Sequence, residues 1–205
     1  MKMLLEWINK KYLNERKISE INKLFLKSKP YPNFALADFF NENKLLKIKK
    51  AVLKEKFERI EKDLFSLSHT KDLISSRNKT INEFYKFLSS QEFIDLMKKL
   101  TSEKLSLKID IQSHIMEQGD YLLFHDDKLE GRKIAYIVYL SKLGAKDGGR
   151  LQLYVIKNPI KPIKSIKPIF NSFACFKVSR KSLHTVEEIM SEKKRLTIGG
   201  WFYGN

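Results

Sequence analysis

The chain has 205 residues, 42% of them hydrophobic and 31% charged, with eight glycines, five prolines and one cysteine. This balance excludes fibrous, disordered and disulfide-framework classes and suits one domain around a single sizeable core. The longest apolar run, Ile134 to Leu140, is far short of a membrane span, and Glu6 interrupts the start too early for a secretory signal, so a cytoplasmic protein with no membrane partner is expected. The net charge of +16 would suit a phosphate-rich partner. The surplus lies at the ends, with 12 basic and 5 acidic residues in 1–50 and 10 and 3 in 151–205, whereas 101–150 balances at 8 and 8. Solvated lysines are the ordinary account of that surplus, and direct binding of RNA or DNA is the alternative.

In chain order, residues 3–27 carry Leu4, Leu5, Ile8, Tyr12, Ile18, Ile21, Leu24 and Phe25 at roughly helical spacing, predicting one or two amphipathic helices. Residues 1–29 are therefore read as an N-terminal helical extension, ended by Pro30 and Pro32, and 30–205 as the main domain. Asn33 to Phe40 reads as a strand feeding a helix that is capped near Asn41 or Asn43 and runs to about Leu64. A loop through Ser66 to Ser76 and a second helical stretch from about Thr80 to Leu100 follow.

From Leu105 onward the period changes from helical to alternating. Strands are expected at Leu105 to Ile115, Tyr121 to His125, Arg132 to Leu140, Gly149 to Val155, Phe173 to Val178, Leu183 to Glu187 and Lys194 to Phe202. Prolines 159, 162 and 168 confine Asn158 to Ile169 to a loop or an edge, because proline cannot donate to a ladder. Helices first and strands after give an α+β fold, a double-stranded β-helix (jelly roll) with the helices packed on one face. Cys175, in an apolar run, reads as a buried structural thiol.

The segment Phe124-His125-Asp126-Asp127 puts His125 and Asp127 two residues apart, so both emerge on one face of an extended strand or its end. Two imidazoles and a carboxylate on one face of Fe(II) leave three positions open for oxygen chemistry. His184, in a predicted strand that a jelly roll can bring beside the pair, is the candidate third ligand. Taken alone, the pair has an ordinary alternative, a solvated histidine beside acids. Alternation places Arg195, Thr197 and Trp201 on one face of the last strand, and an arginine directed into a barrel needs an anion such as a carboxylate; otherwise Arg195 is a surface residue beside Lys193 and Lys194. His69 is read as solvated or substrate-side and His114 as structural, both outside the ligand set.

The ordered motifs His125-x-Asp127, Arg132 to Leu140, Gly148-Gly149-Arg150-Leu151-Gln152-Leu153-Tyr154, His184-Thr185-Val186-x-Glu188 and Arg195-Leu196-Thr197-Ile198-Gly199-Gly200-Trp201-Phe202 resemble the catalytic domain of the ribosomal prolyl hydroxylases. Pro32-Asn33-Phe34 and Thr70-Lys71-Asp72-Leu73 extend the likeness over roughly residues 30–205. The resemblance implies a 2-oxoglutarate-dependent dioxygenase that takes Fe(II), 2-oxoglutarate and O2, with ascorbate as a candidate reductant, and acts on a proline of a ribosomal protein.

It further implies that His125, Asp127 and His184 hold the iron, and that Arg195 and Tyr139 hold the far carboxylate of 2-oxoglutarate. Trp201 matches an aromatic on the substrate side, or else is a plain core tryptophan. Gly148 and Gly149 match a pair that opens a strand, where backbone crowding is the reason expected. The sequence departs from the pattern at Met116, which stands where the family has a tyrosine, so one hydroxyl of the cosubstrate pocket is expected to be missing. Two rivals share the ligand set: an oxygenase acting on another protein side chain, and one acting on nucleic-acid bases. The non-enzymatic rival is a catalytically inactive, basic RNA- or ribosome-binding module on the same barrel.

Overall fold

The computed structural model describes residues 2–155 and 160–204. Five helices precede most of an antiparallel sheet: α1 (Lys2–Trp7), α2 (Glu15–Lys27), α3 (Glu42–Val52), α4 (Lys79–Leu88) and α5 (Gln91–Thr101). Side-chain caps start four of them. Asn14, Asn41, Asn78 and Ser90 each accept a backbone N–H from the first turn of the helix that follows, satisfying donors the helix itself leaves open.

The strands are β1 (Asn33–Leu36), β2 (Phe57–Lys62), β3 (Phe65–Thr70), β4 (Gln112–Met116), β5 (Leu122–His125), β6 (Arg132–Tyr139), β7 (Leu151–Tyr154), β8 (Pro162–Ile166), β9 (Phe173–Lys177), β10 (His184–Val186) and β11 (Arg195–Tyr203). They pair in the order β1-β9-β6-β11-β4-β3-β5-β10-β7-β8, with β2 on the outside of β3. The sheet is a nearly closed jelly roll, as the alternating pattern predicts. Its two free edges are bridged by a side chain: Lys164 on β8 donates to Asn33 on β1 at 2.6 Å.

Alternation divides the core in two. On β6, β9 and β11, Tyr136, Val138, Phe173, Cys175, Ile198 and Phe202 face the helices and meet Phe25, Phe84 and Phe93. The opposite parity fills the barrel, where Tyr139, Phe176, Met116 and Leu153 pack together. Residues of α1 and α2, including Trp7, Ile21 and Phe25, are buried in the helix-side core, so the first helices are integral to its packing.

Several sequence expectations need correction. The helix starting after Asn41 stops at Val52 instead of Leu64. Residues 57–70 form the β2–β3 hairpin where a helix end and a loop were expected. The inner strand alternates Phe65, Leu67 and His69 toward the barrel and pairs with β4, a long-range partner that overrides the helical look of the charged stretch before it.

The stretch 80–100 is two helices, broken at Ser89-Ser90 because Ser90 caps the second. The strand expected from Leu105 begins at Gln112, and only an isolated bridge from Ile109 to Phe202 precedes it. β8 is an edge strand, as its prolines require; Asn158 and Pro159 lie outside the described residues.

Candidate active site

β5 and β10 run antiparallel with His125 opposite His184, which places two imidazoles side by side at 4.0 Å between ring centroids. Just past β5, Asp127 takes a left-handed φ of +60°, a conformation that Asp tolerates better than most residues and that turns its carboxylate back toward both rings. His125 Nε2 and His184 Nε2 lie 3.5 Å from Oδ1 and Oδ2 of Asp127 respectively. One donor atom from each residue falls within 4.8 Å of the others, so the three could hold a single metal ion.

Hydrogen bonding fixes which ring nitrogen is free. His125 Nδ1 is 2.8 Å from the Leu123 carbonyl and His184 Nδ1 is 2.8 Å from the Ser182 carbonyl. A carbonyl only accepts, so each Nδ1 carries the proton and each Nε2 keeps its lone pair for a metal. Burial, then the neighbouring His125, lower the His184 pKa to about 4, which keeps that lone pair available. The hydroxyl of the fully buried Ser182 lies 2.8 Å from the Asp126 carbonyl, tying the segment before His184 to the segment holding Asp127.

A buried cation stands elsewhere in the same barrel, on β11. Arg195 is 4% exposed, its Nε donates to the Gly149 carbonyl at 3.0 Å, and a terminal nitrogen lies 3.7 Å from Met116 Sδ. Among the described residues no carboxylate lies within ion-pair distance of it. Tyr139 is fully buried beside the guanidinium, which lies 5.3 Å from its ring centroid; its hydroxyl feels Arg195 as its polar neighbour but makes no well-formed hydrogen bond among the described residues. Burial lowers the Arg195 pKa, the direction expected for a cation kept from water without a counter-ion. An unpaired buried cation beside an orphaned hydroxyl is costly unless a ligand satisfies both, and a carboxylate would do so.

The glycine pair makes room for this arginine. Gly148 and Gly149 have φ of +74° and +70°, and a Cβ on Gly149 would sit 2.7 Å from Ile189 and 3.2 Å from Arg195 Cδ. Backbone crowding, as expected, is the reason at Gly148, where a Cβ would meet the Glu188 carbonyl, whereas Gly149 is crowded by side chains; β7 opens two residues later at Leu151.

His125, Asp127, His184, Arg195 and Trp201 line one cavity of about 350 Å³. The β2–β3 hairpin covers part of it with Ile60, Phe65 and Leu67. Arg59 holds that hairpin down through a two-pronged contact at 2.6 and 2.7 Å to the buried carboxylate of Asp120. The Trp201 ring carries the Arg132 guanidinium 3.3 Å from its centroid, and its indole N–H has no partner among the described residues. His114, read from the sequence as structural, faces the cavity, as does His69. The signal for His114 was present in its parity, since it shares a strand face with Met116.

Residues 111–203 match the 2OG-Fe(II) oxygenase superfamily. Among curated proteins, the chain is 36% identical to prolyl 3-hydroxylase OGFOD1 of Mus musculus over 84% of its own length and 32% of that protein. It is 32% identical to prolyl 3-hydroxylase OGFOD1 of Xenopus laevis over 90% of its length and 37% of that protein. The chain thus spans about a third of the length of these relatives.

Among solved structures, a prolyl-4-hydroxylase of Pseudomonas putida superposes with a TM-score of 0.74 at 12% identity, covering 92% of this chain and 99% of that one. A Trichoplax adhaerens prolyl hydroxylase, solved with a peptide fragment of the hypoxia inducible factor oxygen degradation domain, superposes with a TM-score of 0.71 at 19% identity, covering 95% and 92%. At such identities these two structures speak to the fold alone.

Proposed function

We propose that the chain is a member of the 2OG-Fe(II) oxygenase superfamily that its residues 111–203 match, an Fe(II)- and 2-oxoglutarate-dependent dioxygenase hydroxylating a prolyl residue of a ribosomal protein. One observation carries the reading: two free Nε2 atoms and a carboxylate converge in the same cavity that holds a buried arginine without a counter-ion. The donor set suits iron, and the arginine with the orphaned tyrosine hydroxyl suits a dicarboxylate cosubstrate.

In this reading His125, Asp127 and His184 hold the metal, and Arg195 and Tyr139 hold the far carboxylate of 2-oxoglutarate. Iron, 2-oxoglutarate and dioxygen, when bound, supply the oxidising power for hydroxylating a C–H bond, with ascorbate as a reductant that keeps the iron ferrous. The chain's own contribution is placement. The Nδ1 tethers hold both rings facing Asp127, the β2–β3 hairpin limits water, and Trp201, backed by Arg132, lines the wall where the substrate proline enters. We assign residues 30–205 to the dioxygenase domain and 1–29 to its helical extension, place the protein in the cytoplasm, and take the lysine-rich ends to rest on ribosomal RNA.

The test is incubation of the iron-loaded protein with 2-oxoglutarate and proline peptides from ribosomal proteins, beside methylated oligonucleotides, followed by mass spectrometry. A gain of one oxygen on a proline peptide, lost in Asp127→Ala, is expected. Oxidation of the oligonucleotides alone would move the substrate to nucleic acid. Unchanged 2-oxoglutarate turnover in Asp127→Ala would overturn the oxygenase reading altogether.

A further inference from the structure

Strand β4 presents Gln112, His114 and Met116 to the cavity. Met116 lies opposite Arg195 on β11 and His114 opposite Thr197, while Thr197 in turn lies opposite Tyr139 on β6. His114, Thr197 and Tyr139 therefore form one row across three strands, and Met116 with Arg195 forms the next. Paired residues in a row stand about 5 Å apart and successive inward rows about 7 Å apart, so a carboxylate seated between Arg195 and Tyr139 comes within reach of an imidazole at position 114.

The seat as built is short of donors. An ionised carboxylate can accept about four hydrogen bonds, yet Arg195 has its Nε committed to Gly149 and a terminal nitrogen facing Met116 Sδ, and a thioether has no proton to give. His114 makes no hydrogen bond among the described residues, so its ring is uncommitted. Burial, reinforced by the Arg195 charge and by His69 opposite it on β3, holds the ring neutral. A neutral imidazole brings one N–H donor without setting a second positive charge against Arg195.

We propose that His114 is a cosubstrate-binding residue, donating a hydrogen bond to the far carboxylate of a dicarboxylic 2-oxo acid where the thioether of Met116 cannot. The assignment rests on the reading of the cavity as a 2-oxoglutarate site. It explains how a chain without the expected tyrosine at Met116 still completes its anion seat: the donor moves two residues along the same strand face.

The test compares 2-oxoglutarate with 2-oxopentanoate, which has the same chain length but no far carboxylate, by titration calorimetry on the Mn(II)-loaded protein. His114→Ala and His114→Phe are expected to weaken 2-oxoglutarate by about tenfold, the size of one hydrogen bond to a charged group, and to leave 2-oxopentanoate nearly unchanged. His114→Gln, which restores a donor of similar reach, is expected to recover most of the loss; it also serves as the comparison if the alanine variant does not fold. Equal losses for both acids, or no loss for either, would make His114 a packing residue and overturn the assignment. If the wild-type protein binds neither acid, the 2-oxoglutarate reading itself fails, an outcome distinct from failure at His114 alone.

Discussion

His125 and His184 each commit Nδ1 to a carbonyl two residues upstream, so their metal-facing chemistry depends on backbone as much as on side chain. Removing the carboxylate between them should abolish tight metal binding. In Asp127→Ala, Mn(II) affinity measured by calorimetry is expected to fall by about a hundredfold or more, consistent with loss of a charged ligand. Ser182→Ala releases the tether to the Asp126 carbonyl and should weaken metal binding by about tenfold, in the range typical of groups that orient ligands.

His114 and His184 both titrate near 4 in the folded metal-free protein, below the ordinary value of 6.5, with burial the first cause for each. The unfolded chain then binds more protons than the folded one between those values. Stability should fall as pH drops from about 6.5 toward 4, by up to about 3 kcal/mol per histidine. Denaturant melts of the metal-free protein at pH 7 and 4.5 check this, and a flat profile would contradict it.

The three convergent side chains were readable from the two-residue spacing of His125 and Asp127 and from the motif around His184, although Asp127 reaches the rings through a left-handed turn past β5 and not by strand parity. Their tethers were not, since the acceptors are backbone carbonyls that any residue could supply. His114 was hidden for a related reason: parity says which face a residue takes, but not that the seat opposite lacks a donor.

Among the elements, strands β6, β9 and β11 were legible because they alternate between two apolar environments, helix-side and barrel-side. The β2–β3 hairpin was not. Its outer strand carries Glu58, Arg59, Glu61 and Lys62, which continue the look of a charged helix, and what holds it is long-range: pairing of β3 with β4 and the grip of Arg59 on Asp120.

That grip is testable. Burial pushes the Asp120 pKa up, but Arg59, the Glu117 N–H and Ser66 outweigh it and the carboxyl is held below its usual range. Arg59→Ala leaves a buried carboxylate short of its cation and should cost about 2 kcal/mol, below the roughly 3–5 kcal/mol of a fully buried pair because Arg59 is partly exposed. Thermal melts would report the loss, and faster amide exchange in residues 57–70 would locate it. At the strand-opening pair, Gly148→Ala would put a Cβ 1.9 Å from the Glu188 carbonyl oxygen at a φ of +74°. A loss of about 3 kcal/mol is expected by denaturant titration, large for one methyl group because the obstacle is main chain.

At the scale of the whole molecule, the charge is the most conspicuous property and the least specific. Forty basic residues against 24 acidic give +16, and the pairing of Lys177 with Glu103 or Lys99 with Glu15 neutralises only part of it. If the ends rest on ribosomal RNA, affinity for ribosomal subunits should fall steeply and linearly in log–log form as salt rises from 50 to 200 mM, by about a hundredfold or more for several phosphate contacts. Binding that ignores salt would assign the lysines to solubility alone.

The bridge between Lys164 and Asn33 has a consequence of its own. Neighbouring strands of the path pair through the main chain, whereas among the described residues the link shown between its ends, β1 and β8, is the side-chain bond of Lys164, which is half-buried and has its pKa lowered by that burial. The barrel is in effect a sleeve fastened by a button. Parting the sheet along that line would break no main-chain pairing among the described residues, and Tyr31, whose hydroxyl donates to the carbonyl of Leu183 next to His184, lies two residues before Asn33.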